Sequence, residues 1–330
     1  MYLPVMPSAS SRTRFLGLLL FGAAASFAAT IPVPHTSVRT DHARAELVSA
    51  VTSIAPRDSF TVALRLRPDS GWHVYWSNPG DAGMPPALTW TLPRDWTATP
   101  LRFPVPRRQD VPPFASFGYE REVWYPAKVF AGGEDGGHRA LVRARAEWLI
   151  CREECLPESA DFTLVLGGAP TRPHPEHAAR LQEFALARLP RPQPDWDWRV
   201  AYDDTTVTLS WDRAAARAEP AGDGEVFFFP AEIGVLVHAA PQVLELTEGR
   251  ARLVMRRDDI LQAQPDTLRG VIVFGAGDEA ARHGYELALT AGLPGTPSSS
   301  WRSGLLVAAL ALAALVLIIV LKRPHVDGKR

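Results

Sequence analysis

The feature that most constrains this chain is an alternation of apolar and polar side chains, repeated in short runs that Gly, Pro and Asp interrupt. Phe60, Val62, Leu64 and Leu66 alternate with Thr61, Ala63, Arg65 and Arg67. A period of two sends successive side chains to opposite faces of an extended strand, so this run reads as a half-buried strand. Similar runs cover Arg139–Leu149, Asp161–Leu166, Thr205–Trp211, Arg250–Met255 and Arg269–Phe274. The 30 prolines and 24 glycines favour turns over long helices, and many short strands at this spacing point to antiparallel β-sandwiches.

One segment departs from that period. In Pro175–Leu189, residues Ala178, Leu181, Phe184 and Leu189 stand near helical spacing, which predicts a short helix stopped by Pro190, Pro192 and Pro194. A proline at every second position continues neither a helix nor a central strand, so 190–194 is the expected domain boundary.

Both ends carry apolar segments. Arg12 and Arg14 precede an apolar run from Phe15 to Phe27 and the small pair Ala28-Ala29, the layout of a cleaved signal peptide. Leu305–Leu321 is 17 consecutive apolar residues, and the 21 from Trp301 rise about 31 Å as a helix, enough to span a bilayer core. Lys322, Arg323, Lys329 and Arg330 follow it, which places the C-terminus in the cytoplasm. The expected layout is a signal peptide at 1–28, a first sandwich at 29–189 carrying both cysteines and ending in the short helix, and a proline linker at 190–194. A second sandwich at 195–291, a linker at 292–303, a transmembrane helix at 304–321 and a tail at 322–330 complete it. The folded body would face the periplasm on a single-pass inner-membrane tether.

A net charge of -1 offers no basic footprint, which excludes nucleic acid as a partner. Six of the ten tryptophans (Trp72, Trp76, Trp90, Trp96, Trp124, Trp148) fall in the first sandwich with both cysteines, so a site is expected there. Two cysteines form neither a disulfide-dense scaffold nor a four-cysteine zinc site, but they form one pair. Cys151 and Cys155 would stand about 13 Å apart in an extended strand, so a bonded pair requires the segment to turn back or to coil into a helical turn. As a staple the pair is weak, since closing five residues stabilises by about 2 kcal/mol against about 4.7 for a loop of 100. Short-range pairs suit opening and closing, although a local structural disulfide stays open, as does metal binding with a remote His73 or His138. Glu153 and Glu154 disfavour a thiolate while Arg152 favours one.

Three stretches carry a resemblance: Trp148-Leu-Ile-Cys-Arg-Glu-Glu-Cys-Leu-Pro-Glu158, Gly71-Trp-His-Val-Tyr-Trp-Ser-Asn-Pro-Gly-Asp-Ala-Gly-Met-Pro-Pro86 and Phe117-Gly-Tyr-Glu120. Residues 40–290 resemble the periplasmic N-terminal region of the thiol:disulfide interchange (DsbD-like) family, in its suppressor-of-copper-sensitivity (ScsB-like) branch. The resemblance implies two immunoglobulin-like domains and a redox pair at Cys151 and Cys155, reduced by a membrane domain and reducing periplasmic partners in turn. It also brings copper tolerance and cytochrome c biogenesis as settings. After residue 290 the chain departs from the family, with one span and no second cysteine pair in place of several spans with their own cysteines.

The sequence therefore predicts a membrane-anchored thiol–disulfide oxidoreductase of the protein-disulfide reductase type. It would relay electrons from a separate polytopic membrane donor to periplasmic thioredoxin-like or disulfide-isomerase-like proteins, with no cofactor, because the electrons stay on sulfur. Trp72, Tyr75 and Trp76 with Asn78–Asp81 read as an aromatic strand entering a tight turn, or as a cap over the disulfide with His73, Tyr119 and Trp148 as further candidates. Asp41-His42 and His174–His177 read as solvated loop or helix-start residues. The alternatives are an anchored protein-binding module with a structural disulfide, and a copper-handling protein.

Overall fold

Short alternating runs become antiparallel sheets in the computed structural model, which describes residues 34–133, 139–216, 226–261, 263–275 and 283–291. A five-stranded sheet runs Ser37–Arg39, Ala43–Ser49, Ser59–Pro68, Val123–Phe130, Thr97–Ala98. A three-stranded sheet orders Cys155–Leu166, Ala140–Cys151 and Ala87–Thr91, and another orders Val74–Gly80, Phe114–Tyr119 and Arg107–Val111. Their inward residues build one core, in which Val62, Leu64, Val142, Ala146, Trp148 and Phe162 are each at most 2% exposed.

C-terminal to these, a four-stranded sheet orders Arg199–Tyr202, Thr206–Asp212, Arg250–Arg256 and Val243–Leu246. A three-stranded sheet orders Val226–Pro230, Thr267–Phe274 and His283–Thr290. Their core gathers Trp196, Val207, Leu209, Trp211, Leu253, Phe274 and Tyr285. The all-β expectation holds for the described residues. The signal peptide, the linker at 292–303, the apolar segment 304–321 and the tail at 322–330 lie outside them. Among the described residues no helix is long and apolar enough to cross a membrane.

Two local readings change. The Ser59–Pro68 strand reads as half-buried, yet Ala63, on the face opposite Phe60, Val62, Leu64 and Leu66, is 0% exposed. The cause is the helical segment, which packs Leu181 and Ala185 onto Ala63, Val48 and Trp124. That helix is shorter than 175–189: an α-helical turn at His177–Leu181 passes into a π turn at Gln182–Leu186. The proline segment 190–194 is bound to a sheet edge. Arg191 forms a parallel bridge to Tyr285, donating to Gly284 C=O at 2.8 Å and accepting from Glu286 N–H at 2.9 Å. Gln193 then accepts from Ala288 N–H through its side chain at 3.1 Å. Prolines are tolerated here because the segment needs donors on only one side.

The two cores also meet. Phe229, Val271 and Val273 join the first core, where Phe229 packs edge-on against Trp76 and Phe117. Buried Asn78 donates to Pro230 C=O at 2.9 Å, and Arg108 donates to Ala239 C=O at 3.0 Å.

Candidate functional site

Ala140–Cys151 and Cys155–Leu166 form one hairpin whose register runs from Ala140↔Leu166 to Cys151↔Cys155. The chain turns back through Arg152, Glu153 and Glu154, which realises the first of the two geometries required of a bonded pair. Cys151 gives its N–H to His73 C=O at 3.0 Å and accepts from His73 N–H at 2.9 Å. Both backbone groups thus point away from Cys155. Across an antiparallel ladder that leaves a non-hydrogen-bonded pair, the kind with the closest side chains and a Cα separation of about 4.5 Å. Here the Cα atoms are 4.2 Å apart and the sulfurs are bonded. The two cysteines differ in access: Cys151 is 3% exposed, whereas Cys155 lies on the surface.

Three of the residues selected from sequence reach this tip. The Tyr75 hydroxyl lies 3.4 Å from Cys155 Sγ and 3.2 Å from His73 Nε2. Burial pushes the Tyr75 phenol up to about 12, so it keeps its proton at neutral pH and serves as a donor. Burial pushes the His73 imidazole down, against the opposing charge of Glu120, which favours its neutral form. A neutral His73 with its proton on Nε2 donates to Tyr75, and Tyr75 donates to sulfur. A disulfide sulfur accepts weakly, but a thiolate accepts strongly, so the contact gains weight when the pair is reduced. Trp72 stacks on His42 with ring centroids 3.9 Å apart and lies under the Arg152 guanidinium at 5.2 Å. The expectation of a solvated His42 is therefore corrected: its ring is half-buried against Trp72.

Trp148, Tyr119 and Trp76 go elsewhere. Trp148 is 1% exposed in the first core, and the Tyr119 hydroxyl donates to Pro104 C=O at 2.7 Å. Trp76 turns to Phe229 of the second sheet pair. Alternation explains the split, since Tyr75 and Trp76 are consecutive in one strand and point to opposite faces.

Sequence reading missed Gly83, although it lies in a quoted motif. At φ +113 its backbone rests on the Tyr75 ring, and a Cβ there would stand 2.2 Å from Tyr75 Cε1. Only glycine permits that approach. Among the described residues no group of three or more His, Cys, Asp or Glu side chains is placed to hold a metal, and His138 lies outside them.

Residues 44–167, which include both cysteines and the aromatic strand, match the family model of the thiol:disulfide interchange protein DsbD, N-terminal. Among solved structures, the crystal structure of the N-terminal periplasmic domain of ScsB from Proteus mirabilis matches at 18% identity. That match covers 78% of this chain and 98% of that chain with a TM-score of 0.56, a likeness of fold. The conserved domain protein from Bacillus anthracis, at 8% identity over 74% of this chain and 79% of that one, has a TM-score of 0.22 and carries no argument. No curated protein matches the chain. Over residues 44–167 the chain is thus similar to the N-terminal domain of the thiol:disulfide interchange protein DsbD, and the cysteine pair of that stretch stands as a disulfide.

Proposed function

We propose that this protein is a membrane-anchored periplasmic relay in which Cys155 is the sulfur that meets partners and Cys151 is the one that resolves. The observation that carries this reading is the unequal access of a bonded pair, with Cys151 at 3% exposure and Cys155 on the surface. A donor thiolate attacks Cys155 Sγ, the internal S–S bond breaks, and the electron pair leaves on Cys151 Sγ. The donor's second thiolate then attacks its own sulfur in the mixed disulfide, releasing Cys155 as a thiolate. Two electrons have entered the pair, and the donor has become a disulfide.

Reduction of an acceptor runs the same path outward. Cys155 thiolate attacks the acceptor disulfide and expels one of its thiolates, which takes up a proton. Cys151 thiolate then attacks Cys155 Sγ, restoring the internal bond and releasing the acceptor's second thiolate. Tyr75, as a protonated phenol, stabilises the Cys155 thiolate between these steps. The donor is a separate polytopic membrane protein and the acceptors are thioredoxin-like or disulfide-isomerase-like proteins, consistent with a chain that holds one cysteine pair.

Cys151→Ala should trap a mixed disulfide with a thioredoxin-like partner in non-reducing gels of membranes, and Cys155→Ala should trap none. A pair that stays oxidised with every dithiol donor, at a potential below about -300 mV, would overturn the reading in favour of a structural disulfide.

A further inference from the structure

We propose that His238, on the C-terminal pair of sheets, is a positioning residue for the disulfide: it holds the 81–86 loop, which holds Tyr75 against Cys155. This rests on the exchange reading above. The series of contacts begins where the Val74–Gly80 strand ends. Gly80, at φ +86, brings the backbone so close to its neighbour that a Cβ would stand 2.4 Å from Ala115 O. Asp81 follows and is held on three sides. Its N–H donates to Ala115 C=O at 3.0 Å, and its Oδ2 accepts from Ala115 N–H at 2.8 Å. Its Oδ1 lies 2.9 Å from His238 Nδ1. Two residues on, Gly83 rests on the Tyr75 ring, and Tyr75 reaches Cys155 Sγ. An unbroken series of contacts therefore joins the second core to the reactive sulfur.

The His238–Asp81 contact is specific. The His238 side chain is 4% exposed, its ring packs edge-on against Phe117 at 5.0 Å, and its Nε2 has no hydrogen-bond partner among the described residues. Among the described residues the ring's one hydrogen-bond partner is thus Asp81, and a buried imidazole kept with half of its polarity unsatisfied needs a reason. Joining the two cores is not that reason. Asn78 with Pro230, Arg108 with Ala239 and Phe229 with Trp76 and Phe117 do this without it. What His238 adds is a hold on the loop that covers Tyr75.

The test uses the full-length chain in detergent and measures the second-order rate of disulfide reduction by dithiothreitol. His238→Ala should raise that rate by about tenfold, the population change that follows from losing one hydrogen bond to a charged group. His238→Asn, which restores a nitrogen donor near the Nδ1 position, should return the rate towards wild type. A loss of packing alone would not be rescued in this way. Gly83→Ala keeps the His238–Asp81 bond but drives the loop off the ring, and should also raise the rate. Wild-type rates in both His238→Ala and Gly83→Ala overturn the latch. A wild-type disulfide that dithiothreitol reduces but no thioredoxin-like protein exchanges with overturns the exchange reading and leaves the latch to its own result.

Discussion

The hairpin Ala140–Leu166 of the first core and the pair Thr267–Phe274 with His283–Thr290 of the second are built on the same antiparallel ladder. They differ in what their surroundings do with large aromatic side chains. Around the second pair, Trp196, Trp211, Phe274 and Tyr285 pack on one another and close a core. Around the first, Trp72 and Tyr75 are buried too, at 7% and 1% exposed, but also contact Arg152 and Cys155 at the hairpin tip. The same scaffold serves both, so the sulfur site is an elaboration of one hairpin tip rather than a requirement of the fold. Substitutions inside the second core, away from His238 and Phe229, should therefore change stability without changing sulfur chemistry, and those at the tip should change sulfur chemistry with smaller effects on stability.

The largest expected effect tests the first half of that statement. Trp211→Ala, at a site 1% exposed in the second core, should cost about 3–5 kcal/mol and lower Tm by roughly 6–20 °C. The disulfide of the protein that remains folded should react with dithiothreitol at the wild-type rate. Phe229→Ala should cost a similar about 3–5 kcal/mol but should also alter that rate, because Phe229 supports Trp76 and Phe117 beneath the aromatic strand. Equal reactivity in the two variants would remove the distinction between core and junction.

At the tip the expected stability changes are smaller. Tyr75→Phe should cost about 1 kcal/mol in chemical denaturation. In the reduced protein the Cys155 thiolate loses a donor, so the pH profile of iodoacetamide alkylation should move to higher pH. An unmoved profile would mean that the 3.4 Å contact has no consequence for the thiolate.

pH offers a milder test. Burial lowers the folded-state pKa of His73 and of His177 from the ordinary 6.5. As pH falls below about 6.5 the unfolded chain takes up protons that the folded chain refuses, so stability should decline until the lowered folded values are reached. Above about 6.5 neither histidine contributes a slope. Thermal melts of wild type and His73→Asn between neutral and mildly acidic pH should show a shallower decline in the variant. The smallest effect is expected for Arg152→Ala, about 0.5–1 kcal/mol from the lost cation–π contact with Trp72.

Much of the architecture was legible before any coordinates, because alternation records which side chains share a face. Phe60, Val62, Leu64 and Leu66 are buried as that pattern implies. The spacing of Cys151 and Cys155 showed that a bonded pair must turn back or coil, and left the choice to the structure. What alternation does not record is what lies across a face. Ala63 shares the face of Thr61, Arg65 and Arg67 and is buried by a helix more than a hundred residues along the chain. Proline spacing correctly excluded a helix or central strand at 190–194, but nothing local signalled that Arg191 would bind to the strand edge at Tyr285.

The sequence by itself determined strands, the alternation of their faces, the absence of helix at 190–194 and a cysteine pair too closely spaced to serve as a strong staple. Those properties depend on neighbours along the chain, where side-chain period and backbone restriction act directly. Tertiary structure alone decided that Cys155 rather than Cys151 meets solvent, and that Tyr75 reaches sulfur while Trp76 turns to Phe229. It also brought His238 onto the loop over Tyr75. These contacts join residues 80 and 157 positions apart, and their partners are set by how sheets stack, a choice that no local pattern encodes.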